Sequence, residues 1–167
     1  MATPTVKPNL RKLFGELIYE RMKTDERIWV ITGDLGFGLW DRIQEEFPDR
    51  FLNTGASEQA MIGIAVGLAQ SGKIPIVYSI TPFLLYRPFE TIRNYIHHEK
   101  IPVKLVGSGH GKDYHNEGFS HWASEDKQVM KIFSNIEARW PKEESEVKKV
   151  VKELLKKELP FYINLTK

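Results

Sequence analysis

The chain reads as a single α/β domain: a mainly parallel sheet with helices on both faces. Three observations lead there. Short apolar runs rich in β-branched residues alternate with amphipathic segments along most of the chain. The connections are long enough for right-handed crossovers between parallel strands. Polar, glycine-bearing segments follow residues 32, 54, 80 and 106, where the carboxyl ends of such strands would gather them on one edge. A length of 167 residues supports one packed domain and is short for two.

Residues 1–9, with Pro4 and Pro8, form a lead-in, and residues 10–167 form the domain. Leu10, Leu13, Phe14, Leu17, Ile18 and Met22 repeat at helical spacing and give an amphipathic helix. Ile28–Ile31 is a short buried strand that ends in Gly33-Asp34-Leu35-Gly36-Phe37-Gly38. A helix over Trp40–Phe47 closes at Pro48, and Phe51-Leu52 is the next strand. The helix after Glu58 is apolar on nearly every face, which predicts that it is buried all round, and Gly72 stops it. Ile74–Ser79 is a strand. Thr81–Pro88 is a loop or helix entry, and Phe89–His98 is helical. Val103–Val106 is a strand, and Gly107–Ala123 is the longest stretch without periodicity. Asp126–Phe133 reads as a helix and Ile136–Arg139 as a strand stopped by Pro141. Val147, Val150, Val151, Leu154 and Leu155 mark an amphipathic helix before the last strand, Phe161–Leu165.

Composition excludes several function classes. A net charge of +2 with scattered Lys and Arg gives no footprint for nucleic acid. The absence of cysteine removes disulfides, thiolate catalysis and cysteine-ligated metals. No segment reaches the ~20 apolar residues of a membrane span, and the N-terminus has no apolar signal core. The expected location is the cytoplasm.

Gly33–Gly38 contains a G-x-G pair but no G-x-G-x-x-G opening a helix, and reads as a flexible strand-to-helix turn. His97 and His98 end a helix and are expected to be exposed. His110, His115 and His121 share a loop with Asp113 and Glu117, but their spacing fits no fixed zinc pattern, so contact with an anion or a sugar is the expectation and no metal is assigned. Arg87, beside Tyr86, suits a phosphate or a flat ring. Glu58 stands at the entrance to the apolar helix, where desolvating a carboxylate is costly. It is a helix-start charge favoured by the macrodipole, half of a buried ion pair, or a proton handler, and the residues alone leave these three open.

Gly55-Ala56-Ser57-Glu58-Gln59-Ala60-Met61 and the glycine-bearing helix after it resemble the pyrimidine-binding domain of the transketolase family of thiamine-diphosphate enzymes, which includes deoxyxylulose-phosphate synthase. The family's Gly-x-x-Glu element before "GxAxGLA" reads GASEQAMIGIAVGLA here. Thr81, Phe83-Leu84 and Arg87-Pro88-Phe89 are similar to its "TF…ARP" segment, with one extra residue. Glu117-Gly118-Phe119-Ser120-His121 is similar to its "DGPTH", and Gly33-Asp34-Leu35 to its "ADLT".

The resemblance implies roles. Glu58 would hydrogen-bond a ring nitrogen of the cofactor's aminopyrimidine and promote the imino tautomer, whose exocyclic nitrogen takes the thiazolium proton. One of Phe83, Tyr86 and Phe89 would stack on the pyrimidine. Asp34 would lie near the thiazolium, and His121 would contact the substrate with Glu117, Arg87 and His110. Glu117 departs from the family's Asp. The family's "GDG…N" motif for diphosphate and Mg²⁺ does not occur in these residues. The implied arrangement is therefore a split enzyme. This chain would share thiamine diphosphate with a second chain that holds the Mg²⁺, as a dimer within a heterotetramer, transferring a two-carbon ketol unit between sugar phosphates. The alternatives are a subunit of a deoxyxylulose-phosphate-synthase-like or 2-oxo acid decarboxylating enzyme, or a non-catalytic scaffold on the same fold.

Overall fold

A computed structural model describes residues 9–167. Most of the expected lead-in, residues 1–8, lies outside the described residues. Six strands form one sheet: β1 (Ile28–Thr32), β2 (Phe51–Asn53), β3 (Ile74–Ile80), β4 (Lys104–Ser108), β5 (Glu137–Arg139) and β6 (Phe161–Leu165). Their order is β2-β1-β3-β4-β6-β5, and every neighbouring pair is parallel.

Side chains alternate across the pleat and split the core in two. Ile76, Tyr78, Val106 and Ile163 face a cluster built with α1 (Leu10–Met22), α2 (Asp41–Glu46) and α7 (Glu144–Lys156). Ile31, Val77, Leu105 and Tyr162 face the other side. There α3 (Glu58–Gln70), α4 (Thr81–Tyr86), the short α5 (Phe89–Thr91) and α6 (Asp126–Ile132) supply the packing. The all-parallel sheet with two covered faces is the expected architecture. The order in which strands are added reverses between β1 and β3, so the crevice beyond their carboxyl ends is the place for a ligand.

Three local expectations change. The α3 helix is not buried on every face: Ala60, Gly63, Ile64 and Gly67 are exposed, and the apolar outer stripe is uncovered in the single chain. Thr81–Tyr86 is a full helix, entered by Pro82 in its first turn, where the missing N–H costs nothing. Phe89–His98 is helical as expected, but from Ile92 to His98 it widens into a π-helix. This turns His97 inward instead of leaving it exposed. His97 Nδ1 accepts the Asn135 N–H at 3.2 Å, and burial pulls its pKa down, with His98 adding to the effect.

Lys104, at the amino end of β4, is buried. Its Nζ donates to the carbonyls of Lys157 and Leu159 at 2.7 and 2.6 Å, fastening the turn between α7 and β6. Burial lowers its pKa to about 8, against the upward pull of Glu137 and Glu158. Among the described residues no helix is long and apolar enough to cross a membrane.

Candidate active site

Glu58 is the first residue of α3 and is only 2 % exposed. The turn before it is held by Asn53, whose Oδ1 accepts the backbone N–H of both Asp34 (2.9 Å) and Gly55 (3.0 Å). One side-chain amide at the end of β2 thus ties the loop after β1 to the loop before α3. Asp34 sits there in the left-handed region (φ 58°), a conformation that Asp tolerates better than most residues. Asn53 Nδ2 donates to its Oδ1 at 3.3 Å. The Glu58 carboxylate turns in under this junction. Oε1 accepts from Ser79 Oγ at 3.4 Å and lies 3.6 Å from where a Cβ on Gly33 would be. Oε2 accepts from Arg87 Nη1 at 2.7 Å.

Phe83, on α4, forms the opposite wall. The Arg87 guanidinium carbon lies 3.8 Å from its ring centroid, and His121 meets it edge-on at 4.8 Å. Glu58, Phe83, Arg87 and His121 are therefore one cluster at the carboxyl edge of the sheet. It offers a buried carboxylate, an aromatic face, a cation and an imidazole. The His121 Nδ1 is 3.0 Å from Ser120 Oγ, and Tyr114 stands 6.2 Å from the imidazole.

The other named residues lie elsewhere. The Tyr86 hydroxyl reaches Glu125 at 3.5 Å. Phe89 packs its ring on Phe133 at 5.0 Å, partly buried against the second core cluster, as α5 continues into the π-helical segment. Glu117 pairs with Lys167 at 3.4 Å. His110 Nε2 donates to the Asn164 carbonyl at 2.8 Å, which fixes the proton on Nε2. Asn164 in turn donates to Asp126 Oδ2 at 2.7 Å, an oxygen that also accepts from Trp140 Nε1 and Tyr162 Oη at 2.6 and 3.0 Å. This buried polar group forms the floor beneath α4. Gly107 is required there, since a Cβ would come within 2.6 Å of Thr81 Oγ1 and 3.2 Å of Tyr162 Oη.

A second part of the same edge was missed by sequence reasoning. A cavity of ≈ 270 Å³ opens between the start of α1 and the loop Leu35–Leu39, with Arg11, Lys12, Tyr78, Ser108 and Tyr114 in its wall. Arg11 Nη1 donates to Ser108 Oγ (3.3 Å) and Tyr114 Oη (3.4 Å), and these hydroxyls lie 2.8 Å apart. Its Nε is buried without a partner, and no carboxylate neutralises it among the described residues. Burial pushes the Tyr78 hydroxyl up, with Ser108 and Arg11 pulling it back. The signal was present, because Arg11 interrupts the apolar stripe of Leu10, Phe14 and Ile18. Gly36 shapes this wall, combining φ +85° with a Cβ position 2.4 Å from Trp40 Cδ1.

A family model described as transketolase, pyrimidine binding domain, matches residues 6–167. The chain belongs to that family. It is 34% identical over 161 residues to the putative transketolase C-terminal section of Methanocaldococcus jannaschii, a match covering 96% of this chain and 51% of that protein. It is 29% identical over 157 residues to the 6-deoxy-6-sulfo-D-fructose transketolase subunit SqwH of a Clostridium species, covering 93% of this chain and 49% of that subunit. Among solved structures, one described as a split gene transketolase, inactive beta4 tetramer, superposes with a TM-score of 0.82 at 32% identity, covering 94% of this chain and 50% of that one. The chain spans about half the length of the curated relatives it matches.

As a pyrimidine-binding domain, the cluster around Glu58 fits the group that the family implies. The buried Glu58 carboxylate offers acceptor oxygens to an N–H, and the Phe83 ring offers an aromatic face to a flat ring.

Proposed function

We propose that this chain is the pyrimidine-binding subunit of a cytoplasmic, thiamine-diphosphate-dependent enzyme that moves a two-carbon ketol unit between sugar phosphates. The observation that carries this reading is Glu58, a carboxylate 2 % exposed and placed beside the Phe83 face at the carboxyl edge of a transketolase-type domain. When bound, the cofactor supplies a nucleophilic carbon that takes up the ketol unit. Glu58 accepts the N–H of a pyrimidine ring nitrogen and so holds the proton there, Phe83 orients that ring, and His121 is the group offered to a substrate hydroxyl. A scaffold has no need of a charge in so dry a position.

The Arg11 cavity supports a phosphorylated substrate. A guanidinium without a carboxylate partner, flanked by Lys12 and three hydroxyls, is a fitting receptor for a phosphate. Asp34, tied to Asn53 beside the turn that leads to Glu58, is the residue this reading assigns to the thiazolium. The diphosphate and its Mg²⁺ belong, in this reading, to a second chain with a "GDG…N" element. The uncovered stripe of α3, with Ile64 at its centre, meets a second copy of this chain. The description of one relative as a beta4 tetramer supports self-association in the family.

Calorimetry with thiamine diphosphate and Mg²⁺ tests the proposal, on the chain alone and on the chain co-purified with its native partner. Tight binding should appear only with the partner and vanish in Glu58→Ala. No binding in either sample removes the catalytic reading and leaves the scaffold.

A further inference from the structure

Arg87 makes two contacts at once. Its Nη1 donates to Glu58 Oε2 at 2.7 Å, while its guanidinium carbon lies 3.8 Å from the centre of the Phe83 ring. A flat group that gives an N–H to a buried carboxylate and lies on an aromatic face is also how an aminopyrimidine would meet these two residues. Both would draw on the Glu58 carboxylate and on the Phe83 face that Arg87 covers, so in this reading the two groups exclude each other. The other contact to Glu58, from Ser79 to Oε1, leaves the shared oxygen untouched.

Nothing else fastens the guanidinium. Among the described residues it donates to Glu58 alone, and the side chain is 46% exposed. Arg87 follows the last residue of α4 and precedes Pro88, so its backbone lies outside the hydrogen-bonded body of a helix. Breaking one charge-assisted bond and one stacking contact releases it into solvent, where it is readily hydrated.

On the proposed function, we infer that Arg87 is a resident place-holder for the cofactor's pyrimidine ring, neutralising Glu58 and covering Phe83 until that ring displaces it. The device answers a costly buried charge while the ring is absent. It also lowers the apparent affinity for the ring by the fraction of molecules in which Arg87 is seated. A ligand for this position must be planar and carry an N–H donor, which excludes simple sugars and inorganic anions.

The test uses the full chain, with 4-amino-2-methylpyrimidine as the ring probe, followed by ¹H–¹⁵N NMR. Arg87→Ala should bind the probe about tenfold more tightly than wild type, because the competing guanidinium is gone. In wild type the Arg87 side-chain resonances should move towards those of free arginine as the probe is added. Methylguanidinium at millimolar concentration should compete with the probe in Arg87→Ala, since it restores the missing group. Arg87→Met, which keeps an aliphatic cover on Phe83 but offers Glu58 no N–H donor, serves as the second variant if Arg87→Ala does not fold, with the same tightening expected. Unchanged, weaker or undetectable binding in the variants overturns the place-holder. If Glu58→Ala still abolishes wild-type binding in that case, the cofactor reading stands without it. Probe binding that ignores Glu58→Ala removes the cofactor reading itself.

Discussion

Glu58 and Lys104 are equally dry, each 2 % exposed, yet they sit at opposite edges of the sheet and are satisfied in opposite ways. Lys104 gives its protons to two backbone carbonyls, of Lys157 and Leu159, which cannot leave without opening the turn between α7 and β6. Glu58 faces a side chain that is half in water. A buried charge answered by backbone is part of the frame, because its partner is covalently fixed. A buried charge answered by an exposed side chain has a partner that can be exchanged, and exchange is what a ligand site requires. Burial alone would have ranked the two residues together; the nature of the partner separates them.

The comparison is broken most decisively through activity. Glu58→Gln in the complex with the diphosphate-binding chain should reduce turnover by on the order of 10²–10⁴-fold, with the circular dichroism spectrum unchanged. A full-rate variant would place Glu58 with Lys104 among framework residues.

The pH dependence of Lys104 is the next largest effect. Its folded pKa of about 8 lies below the ordinary 10.5. Between these values the unfolded chain binds more protons, so stability rises with pH across that window and does not change on this account below it. Wild type should gain on the order of 1–3 kcal/mol relative to Lys104→Met between pH 8 and 10.5, measured by urea unfolding at each pH. A flat difference would show that the ammonium is better solvated than its burial implies.

The smallest effect sharpens the contrast. Arg87→Ala should cost only about 1 kcal/mol, because water can reach Glu58 once the half-exposed side chain is cut back. A loss of about 3–5 kcal/mol, the range for breaking a fully buried pair, would mean that Arg87 is as fixed as the carbonyls around Lys104. A melting curve decides it.

Much of this molecule could be read from the chain. Strand positions followed from runs such as Ile74–Ser79, because a strand covered on both faces is apolar at every position. The ligand edge of the sheet followed from the glycine-bearing segments after those runs. Glu58 stood out because a carboxylate seldom opens so apolar a helix. Other features depended on partners distant in sequence. Arg11 meets Ser108 and Tyr114 only through the tertiary fold. Phe83 and Phe89 look alike in the sequence, and only the winding of α4 and α5 sends one to His121 and the other to Phe133. The outer stripe of α3 misled for a related reason, since apolar composition does not distinguish a face packed in the core from one left exposed in the single chain.

The strand order has a kinetic consequence. No two neighbours in this sheet are joined by a hairpin. β1 reaches β3 only after α2, β2 and α3 have been made, and β4 reaches β6 only across the long stretch that carries α6, β5 and α7. Loops of that span are closed before their contacts stabilise them, which makes assembly slower than in helical bundles of similar size. Glu58 belongs to the β1–β3 crossover, so the pocket that dehydrates it cannot exist until that crossover is complete. A nascent chain stalled before β3 therefore presents the apolar α3 helix to water, and that stage is the one at which a chaperone would be needed.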